Sequence, residues 1–350
     1  MASTSGQNDL RPLYERAADA PIATGDQISG RRVIGFCSGP KGDCILLEGE
    51  EDLSEPPERP LPHRGAPAGL ERTGLPPVAG LPADCLQAAP LDFAAALENA
   101  FDSREDGRFI RGLLDEIVAL QHHAWLVGGA VRDLLSAGST AEVKDFDLTG
   151  TIGPARLDTM VRLRRRAGVG DYATWLSPQN VWSVKPLGQR GTRLVEYKPL
   201  SRPGFRLSAW GGGLEEDATT RDLTVNALYY DRQYGVLADP CGRGRGHLEA
   251  GVMDTPYCGT DQVEVACIIL RCMKFRLRYQ EVDISPIVAW IGEKLTDDFT
   301  SGITESGWKR LVLARRWSVL PGLNGYDEVT VAAEFGPKAA RLVREIRARA

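Results

Sequence analysis

The sequence predicts an α+β protein: a head with a small mixed or antiparallel sheet and helices, then an all-helical neck and a short body. Three observations predict it. Between residues 91 and 258, short apolar runs of strand length alternate with segments of helical period. After Asp261 the apolar spacing is helical almost throughout. Residues 54–90 are dense in proline and read as an extended linker. The predicted organisation is an N-terminal extension over 1–53 with a candidate β-hairpin, the linker over 54–90, the head over 91–258, and the neck and body over 259–350.

Each element has its own signal. Residues 1–30 read as poorly ordered, and RRVIGFCSGPKGDCILLE over 31–48 reads as two strands about a Gly-Pro-Lys-Gly turn. From 109 to 120, Ile110, Leu113, Leu114, Ile117 and Leu120 share one helical side. Strands are expected over 124–127, 143–150, 172–176, 181–186 and 193–197. Helices are expected over 131–137 and over 154–166, where Pro154 suits a first turn. Gly211–Gly213 marks a turn, and 215–230 opens a further element that places Asp222 and Asn226 one helical turn apart. The remaining helices are expected over 262–279, 284–295, 307–316 and 338–350.

Composition narrows the class. The chain has 350 residues and is 43% hydrophobic, enough for about two domains. It carries no apolar run of membrane-spanning length, and its first residues are too polar for a signal peptide, so the expected location is cytoplasmic with no membrane partner. Seven cysteines form no C-x-x-C pair and four histidines complete no zinc pattern, so the cysteines read as reduced, small apolar residues. Lys and Arg number 42 against 47 Asp and Glu, a net charge of −5 that does not advertise a nucleic-acid binder. Local basic clusters stand against that balance: Arg162 with Arg164, Arg165 and Arg166; Lys309 with Arg310; Arg315 with Arg316; and Arg341, Arg344, Arg347 and Arg349. Taken singly, each also fits a solvated helix face.

The most informative stretch is AWLVGGAVRDLLSAGSTAEVKDFDLTG at 124–150. Gly128 and Gly129 let the backbone turn tightly at a helix start, where free N–H groups and the dipole favour phosphate. Arg132, one turn on, suits a charge-assisted bond to phosphate oxygens, and Asp133 suits bracing a loop or that arginine. Alone, a Gly-Gly pair is more often an ordinary strand-to-helix turn. Asp145 and Asp147, two residues apart on a strand, point to one face. Two such carboxylates repel unless a cation lies between them, and hard oxygen donors suit Mg2+ rather than zinc. The same pair in isolation fits a solvent-facing strand end.

Glu196, in TRLVEYKPL, is placed to reach the same face as a further ligand or as acceptor of a hydroxyl proton; an edge-strand glutamate is the plainer alternative. In EEDATTRDLTVNALYY, Arg221 suits a triphosphate and Asp222 and Asn226 suit ribose hydroxyls. A helix-capping network with Asp217 or Thr219 as cap accounts for the same residues.

Together these segments resemble the class II tRNA nucleotidyltransferases (CCA-adding enzymes) and bacterial poly(A) polymerases of the DNA polymerase β superfamily. The matching words are LVGGAVRDLL at 126–135, KDFDLTG at 144–150, LVEYKPLSR at 194–202, EEDATTRDLTVNALYYD at 215–231 and DPCGRGRGHLEAGV at 239–252, with ILRCMKFRLRY at 269–279 similar to the family's neck helix. The resemblance implies a nucleotidyltransferase head. It also implies that Asp145 and Asp147 bind the catalytic magnesium ions, that Gly129, Arg132, Arg221 and Arg271 contact the nucleotide, and that Asp222 and Asn226 lie near the sugar.

Two departures stand out. Thr220 occupies the first position of the family's double arginine. Where the family has its base-reading Glu-Asp-x-x-Arg, this chain reads Glu264-Val265-Ala266-Cys267-Ile268, so the usual choice of CTP or ATP is not inherited. The expected function is transfer of a nucleoside monophosphate from an NTP to an acceptor hydroxyl, with an RNA 3′ end as acceptor. A small-molecule or protein acceptor is the first alternative, and a non-catalytic nucleotide- or RNA-binding module the second. The base added, the number of additions and the oligomeric state have no signature in the sequence.

Overall fold

The computed structural model describes residues 27–28, 30–39, 42–48, 85–120, 122–138, 141, 143, 145–166, 172–177, 181–187, 193–202, 209–210, 213–318 and 327–350. Two compact units separate, one drawn from Met1–Asp217 and Tyr229–Ala238, the other from Ala218–Leu228 and Asp239–Ala350.

In the first unit, β1 (Gln27–Ile28), β2 (Arg31–Gly39) and β3 (Gly42–Leu47) form the expected hairpin with one short strand before it. β2 and β3 pair antiparallel with an irregularity between Val33 and Gly35. The larger sheet draws on β4 (Leu86–Ala88), β5 (Ala124–Val127), β6 (Asp147–Gly150), β7 (Tyr172–Leu176), β8 (Trp182–Pro186) and β9 (Val195–Pro199). β10 (Ser201–Arg202) and β11 (Ala209–Trp210) join β2 in a five-stranded sheet with the hairpin. β12 (Tyr229–Asp231) and β13 (Val236–Ala238) complete the eight-stranded one, ordered β4-β13-β12-β5-β6-β9-β8-β7. β6 and β9 run parallel and every other neighbouring pair antiparallel, the mixed sheet that the sequence predicts.

The central strand β5 is buried along its whole length, which is why AWLV carries no polar alternation. Helices α1 (Leu91–Ser103), α2 (Glu105–Ala119), α3 (Gly129–Ala137) and α4 (Pro154–Arg166) complete the layer. Phe93 packs edge-on against Tyr230 at 4.8 Å and Phe101 against Phe146 at 5.1 Å, so α1 seals one sheet face. Full burial of such side chains contributes about 1.5–3 kcal/mol each.

Several expectations change in detail. The strand expected over 143–150 begins only at Asp147, so Asp145 lies just ahead of it. Residues 215–230 are a short helix α5 (Leu214–Ala218), a 3-10 turn over Thr224–Asn226 and the strand β12, because alternating polar and apolar residues there serve three short elements. Leu86–Ala88, inside the proline-dense stretch, pairs with β13. Residues 1–26, most of the linker and the Gly211 turn lie outside the described residues.

The second unit is helical: α6 (Gly244–Ala250), α7 (Gln262–Arg278), α8 (Ser285–Lys294), α9 (Phe299–Gly302), α10 (Glu305–Ser318), α11 (Glu328–Glu334) and α12 (Pro337–Ala348). Asp261 caps α7 by accepting from the Val263 and Glu264 amides at 2.8 and 3.2 Å. Val265, Ile269 and Cys272 of α7 pack with Ile291, Leu311 and Leu342 in one apolar core. Among the described residues no helix is long and apolar enough to cross a membrane.

Candidate active site

Asp147 opens β6 and is paired in register with Val127 of β5 on one side and Glu196 of β9 on the other. Register partners share a sheet face, so the Asp147 and Glu196 carboxylates stand side by side on adjacent strands. Both side chains are partly exposed and Asp145 is exposed, so all three are open to solvent. Glu196 is ion-paired with Arg193 of the same strand approach. Among the described residues no set of three His, Cys, Asp or Glu side chains converges into a metal cage. Mg2+ does not require one: it is commonly held by one or two carboxylates with water and substrate phosphates filling the remaining positions. An all-oxygen donor set of this kind fits that mode of binding.

The glycine turn sits against these acids. Gly128 adopts φ +79°, and a Cβ there would lie 3.0 Å from Asp147 Oδ2. Glycine is therefore needed twice, for the left-handed backbone and for the close approach of the carboxylate. The chain then enters α3 at Gly129, whose amide end faces the turn. Arg132 is buried, and its Nε and Nη2 meet Asp133 Oδ1 at 2.9 and 2.7 Å. The same Nη2 is 3.6 Å from where a Gly129 Cβ would be, so the guanidinium lies against the helix start. Asp133 thus braces the arginine, as its position suggested.

Strand geometry around the site depends on a buried acid that the sequence offered only as a helix cap. Asp217 is fully buried and accepts from the Ser201 amide and the Tyr229 hydroxyl, each at 2.7 Å, tying β10 to β12.

In the second unit, Asp222 gathers three partners. Its Oδ1 accepts from the Leu223 amide at 2.8 Å and from Asn226 Nδ2 at 3.0 Å, and its Oδ2 accepts from Arg271 Nη1 at 2.8 Å. Burial alone would raise this carboxyl; the Arg271 guanidinium and the Asn226 and Leu223 donors outweigh it and hold the pKa below the usual carboxylate value. Asp222 and Asn226 therefore meet, although a bend and a 3-10 turn bring them together rather than one helix. The Arg271 side chain remains 65% exposed beyond its bond to Asp222. Arg221 is partly exposed at the bend before Asp222. The turn rests on residues of the 239–252 motif: Thr224 Oγ1 meets His247 Nδ1 at 2.9 Å, and Arg243 Nη1 reaches Asp254 Oδ2 at 2.5 Å. Gly244 is obligatory there, since a Cβ would come within 2.6 Å of the Thr224 carbonyl. Nothing in the spacing of Asp254 announced its part in this support.

The positions that depart from the family pattern are sealed. Val265 is fully buried and Ile268 is buried with it in the helical core, while Glu264 is paired with Arg310 of α10 at 2.7 Å. Much of the basic surface is also engaged. Lys309 pairs with Glu305, Arg315 with Glu328, Arg347 with Asp327 and Arg349 with Glu345, and Arg162 of α4 pairs with Asp158. The side chains of Arg164, Arg165, Arg166 and Arg316 lie outside the described residues.

A mixed sheet whose parallel central pair carries neighbouring carboxylates, entered through a glycine-opened helix, defines a nucleotidyltransferase-type head. Residues 124–254 match the family of the poly A polymerase head domain. That segment is similar to the head domain of poly(A) polymerases and of the CCA-adding proteins that share it. The chain is 29% identical over 205 residues to a multifunctional CCA protein of Nitrosomonas europaea, covering 54% of this chain and 46% of that protein. It is 33% identical over 147 residues to poly(A) polymerase I of Escherichia coli, covering 38% of this chain and 29% of that protein. A solved complex of a CCA-adding enzyme with ATP shares the fold at a TM-score of 0.50 and 16% identity, over 72% of this chain and 54% of that one. The chain spans about half the length of the first of these curated relatives and under a third of the second.

Proposed function

We propose that the chain is a metal-dependent nucleotidyltransferase that moves a nucleoside monophosphate from an NTP to an acceptor hydroxyl, most favourably the 3′ end of an RNA, in the cytoplasm. The observation that carries this reading is the pairing of Asp147 with Glu196 in adjacent strands, with the Gly128 turn pressed against Asp147. The Gly128–Gly129 turn and the α3 amides receive phosphate oxygens, and Arg132, held by Asp133, adds its charge at the helix start. Asp145 and Asp147 would hold Mg2+. When bound, that ion neutralises the triphosphate and eases ionisation of the attacking hydroxyl. The acceptor oxygen forms a bond to the α-phosphorus as the bond to the pyrophosphate oxygen breaks. Glu196 takes up the hydroxyl proton. In the second unit, Arg221, Arg271 and Asn226, the last held by Asp222, remain the nucleotide-contact candidates that the resemblance implies.

A second reading keeps the chemistry and changes the acceptor to a small molecule or a protein hydroxyl. It is favoured by the engagement of Lys309, Arg315, Arg347 and Arg349 with carboxylates of their own chain, which leaves less charge for an RNA backbone. One experiment decides between them. The protein is incubated with Mg2+ and each labelled NTP in turn, with total RNA and with RNA-free extract. Label in RNA supports the first reading, and label in a small product or protein supports the second. No incorporation from any NTP with any acceptor rejects the transferase.

A further inference from the structure

The row that contains the carboxylates continues to the edge of the sheet. Asp147 pairs with Glu196, Glu196 with Ser183 of β8, and Ser183 with Trp175 of β7. Register partners share a face, so Trp175 projects from the same side of the sheet as the two acids. Three strand spacings of about 4.8 Å place it roughly 14 Å from Asp147. Trp125, Trp182 and Trp308 are buried, whereas Trp175 is 59% exposed on the last strand of the sheet.

That exposure does not come from a loosely held strand. On the opposite face of β7, Tyr172 packs against Phe109 of α2 at 4.6 Å, and the Thr174 hydroxyl bonds Asp158 of α4. The helices hold one face of β7 and leave the other to solvent. Lys185, also exposed, lies diagonally across from Trp175 on that open face, two residues beyond its partner Ser183. A ring beside a cation, in line with acids of a phosphate-transfer site, matches what a nucleic-acid strand requires: a surface for a base and a charge for its backbone.

We propose that Trp175 and Lys185 form a stacking platform for the acceptor strand, with a nucleobase a few nucleotides behind the reacting 3′ end lying on the Trp175 ring. Stacked nucleotides advance about 3.4 Å each, so the distance from Asp147 corresponds to a short single-stranded tail. The platform rests on the RNA-acceptor reading above, and it assigns to the acceptor a residue outside every motif shared with the family.

The test uses direct binding as well as turnover. A short single-stranded RNA oligonucleotide is titrated into wild type, W175A, W175F and K185Q without NTP, with anisotropy of a labelled RNA as the readout. The KM values for RNA and for NTP are then measured where transfer occurs. Loss of a base–aromatic stack weakens binding about tenfold. The expected result is therefore a tenfold weaker RNA affinity and a matching rise in RNA KM for W175A, near-complete recovery in W175F, and a smaller, salt-sensitive loss in K185Q. NTP KM stays within twofold. RNA affinity unchanged in a folded W175A overturns the proposal. So does a self-associating wild type whose W175A variant is monomeric, because the ring then belongs to a protein interface. If W175A loses RNA binding but no variant or wild type transfers a nucleotide, the platform stands and the transferase reading falls.

Discussion

The two units differ in where their polar residues stand. In the first, Asp145, Asp147 and Glu196 sit at strand ends or on an open sheet face, and backbone register alone brings Asp147 beside Glu196. In the second, polar groups are mostly engaged with one another. Asp222 holds Arg271 and Asn226, Glu264 holds Arg310, and Val265 and Ile268 lie in the core. The lesson is that chemistry and selection can part company. Under the proposed function the sheet unit presents its carboxylates where solvent reaches them, while the helical unit packs Val265 and Ile268 into its apolar core.

The sharpest way to break this comparison is to remove one oxygen of the proposed metal site. Asp147→Asn keeps the size of the side chain at a partly exposed strand start, so the fold should remain. Divalent-metal chemistry supplies several kcal/mol of charge stabilisation, so turnover should fall by roughly a thousandfold. Circular dichroism and single-turnover incorporation check both halves of the claim. Turnover within tenfold of wild type would show that this strand does not carry the chemistry.

The next largest effect concerns the helical half. If Val265 were a vacant base-reading position, restoring the aspartate would restore selectivity. Its complete burial predicts the opposite. Val265→Asp puts an unpaired carboxylate into an apolar core and should cost about 3–5 kcal/mol of stability. Urea unfolding reads this directly. A variant that kept its midpoint and gained preference for one NTP would show that the core opens to the nucleotide.

How much was legible in the sequence follows the same division. The acids and glycines of 124–150 were readable because they are local: Asp-x-Asp and Gly-Gly carry their geometry within a few residues. Glu196 was readable as a candidate, but its register opposite Asp147 was not, since the pairing of strands 49 residues apart in the chain depends on register. The late start of β6 and the division of 215–230 into three elements were hidden because alternation and helical spacing overlap in short segments. Asp254 gave no signal at all and Asp217 only that of a helix cap, as burial, not spacing, determines what they hold. Trp175 was invisible for a related reason: its meaning lies in a row of four strands.

The smallest predicted effect separates holding from contacting. Arg271 is largely exposed and shares a charged bond with Asp222, so it can serve a phosphate only if Asp222 keeps it aimed. Arg271→Ala should raise the NTP KM about tenfold with little change in kcat, the loss of one charge-assisted contact. Asp222→Asn leaves Arg271 intact but removes the charge that orients it, so a rise of about threefold is expected in the same direction. The double variant distinguishes the roles. If Asp222 acts through Arg271, it should match Arg271→Ala alone, because removing the brace costs nothing once the arginine is gone. Multiplied effects, near thirtyfold by the same reasoning, would mean that Asp222 meets the nucleotide on its own account. The helical half would then have kept a second direct contact, and its difference from the sheet half would be one of degree.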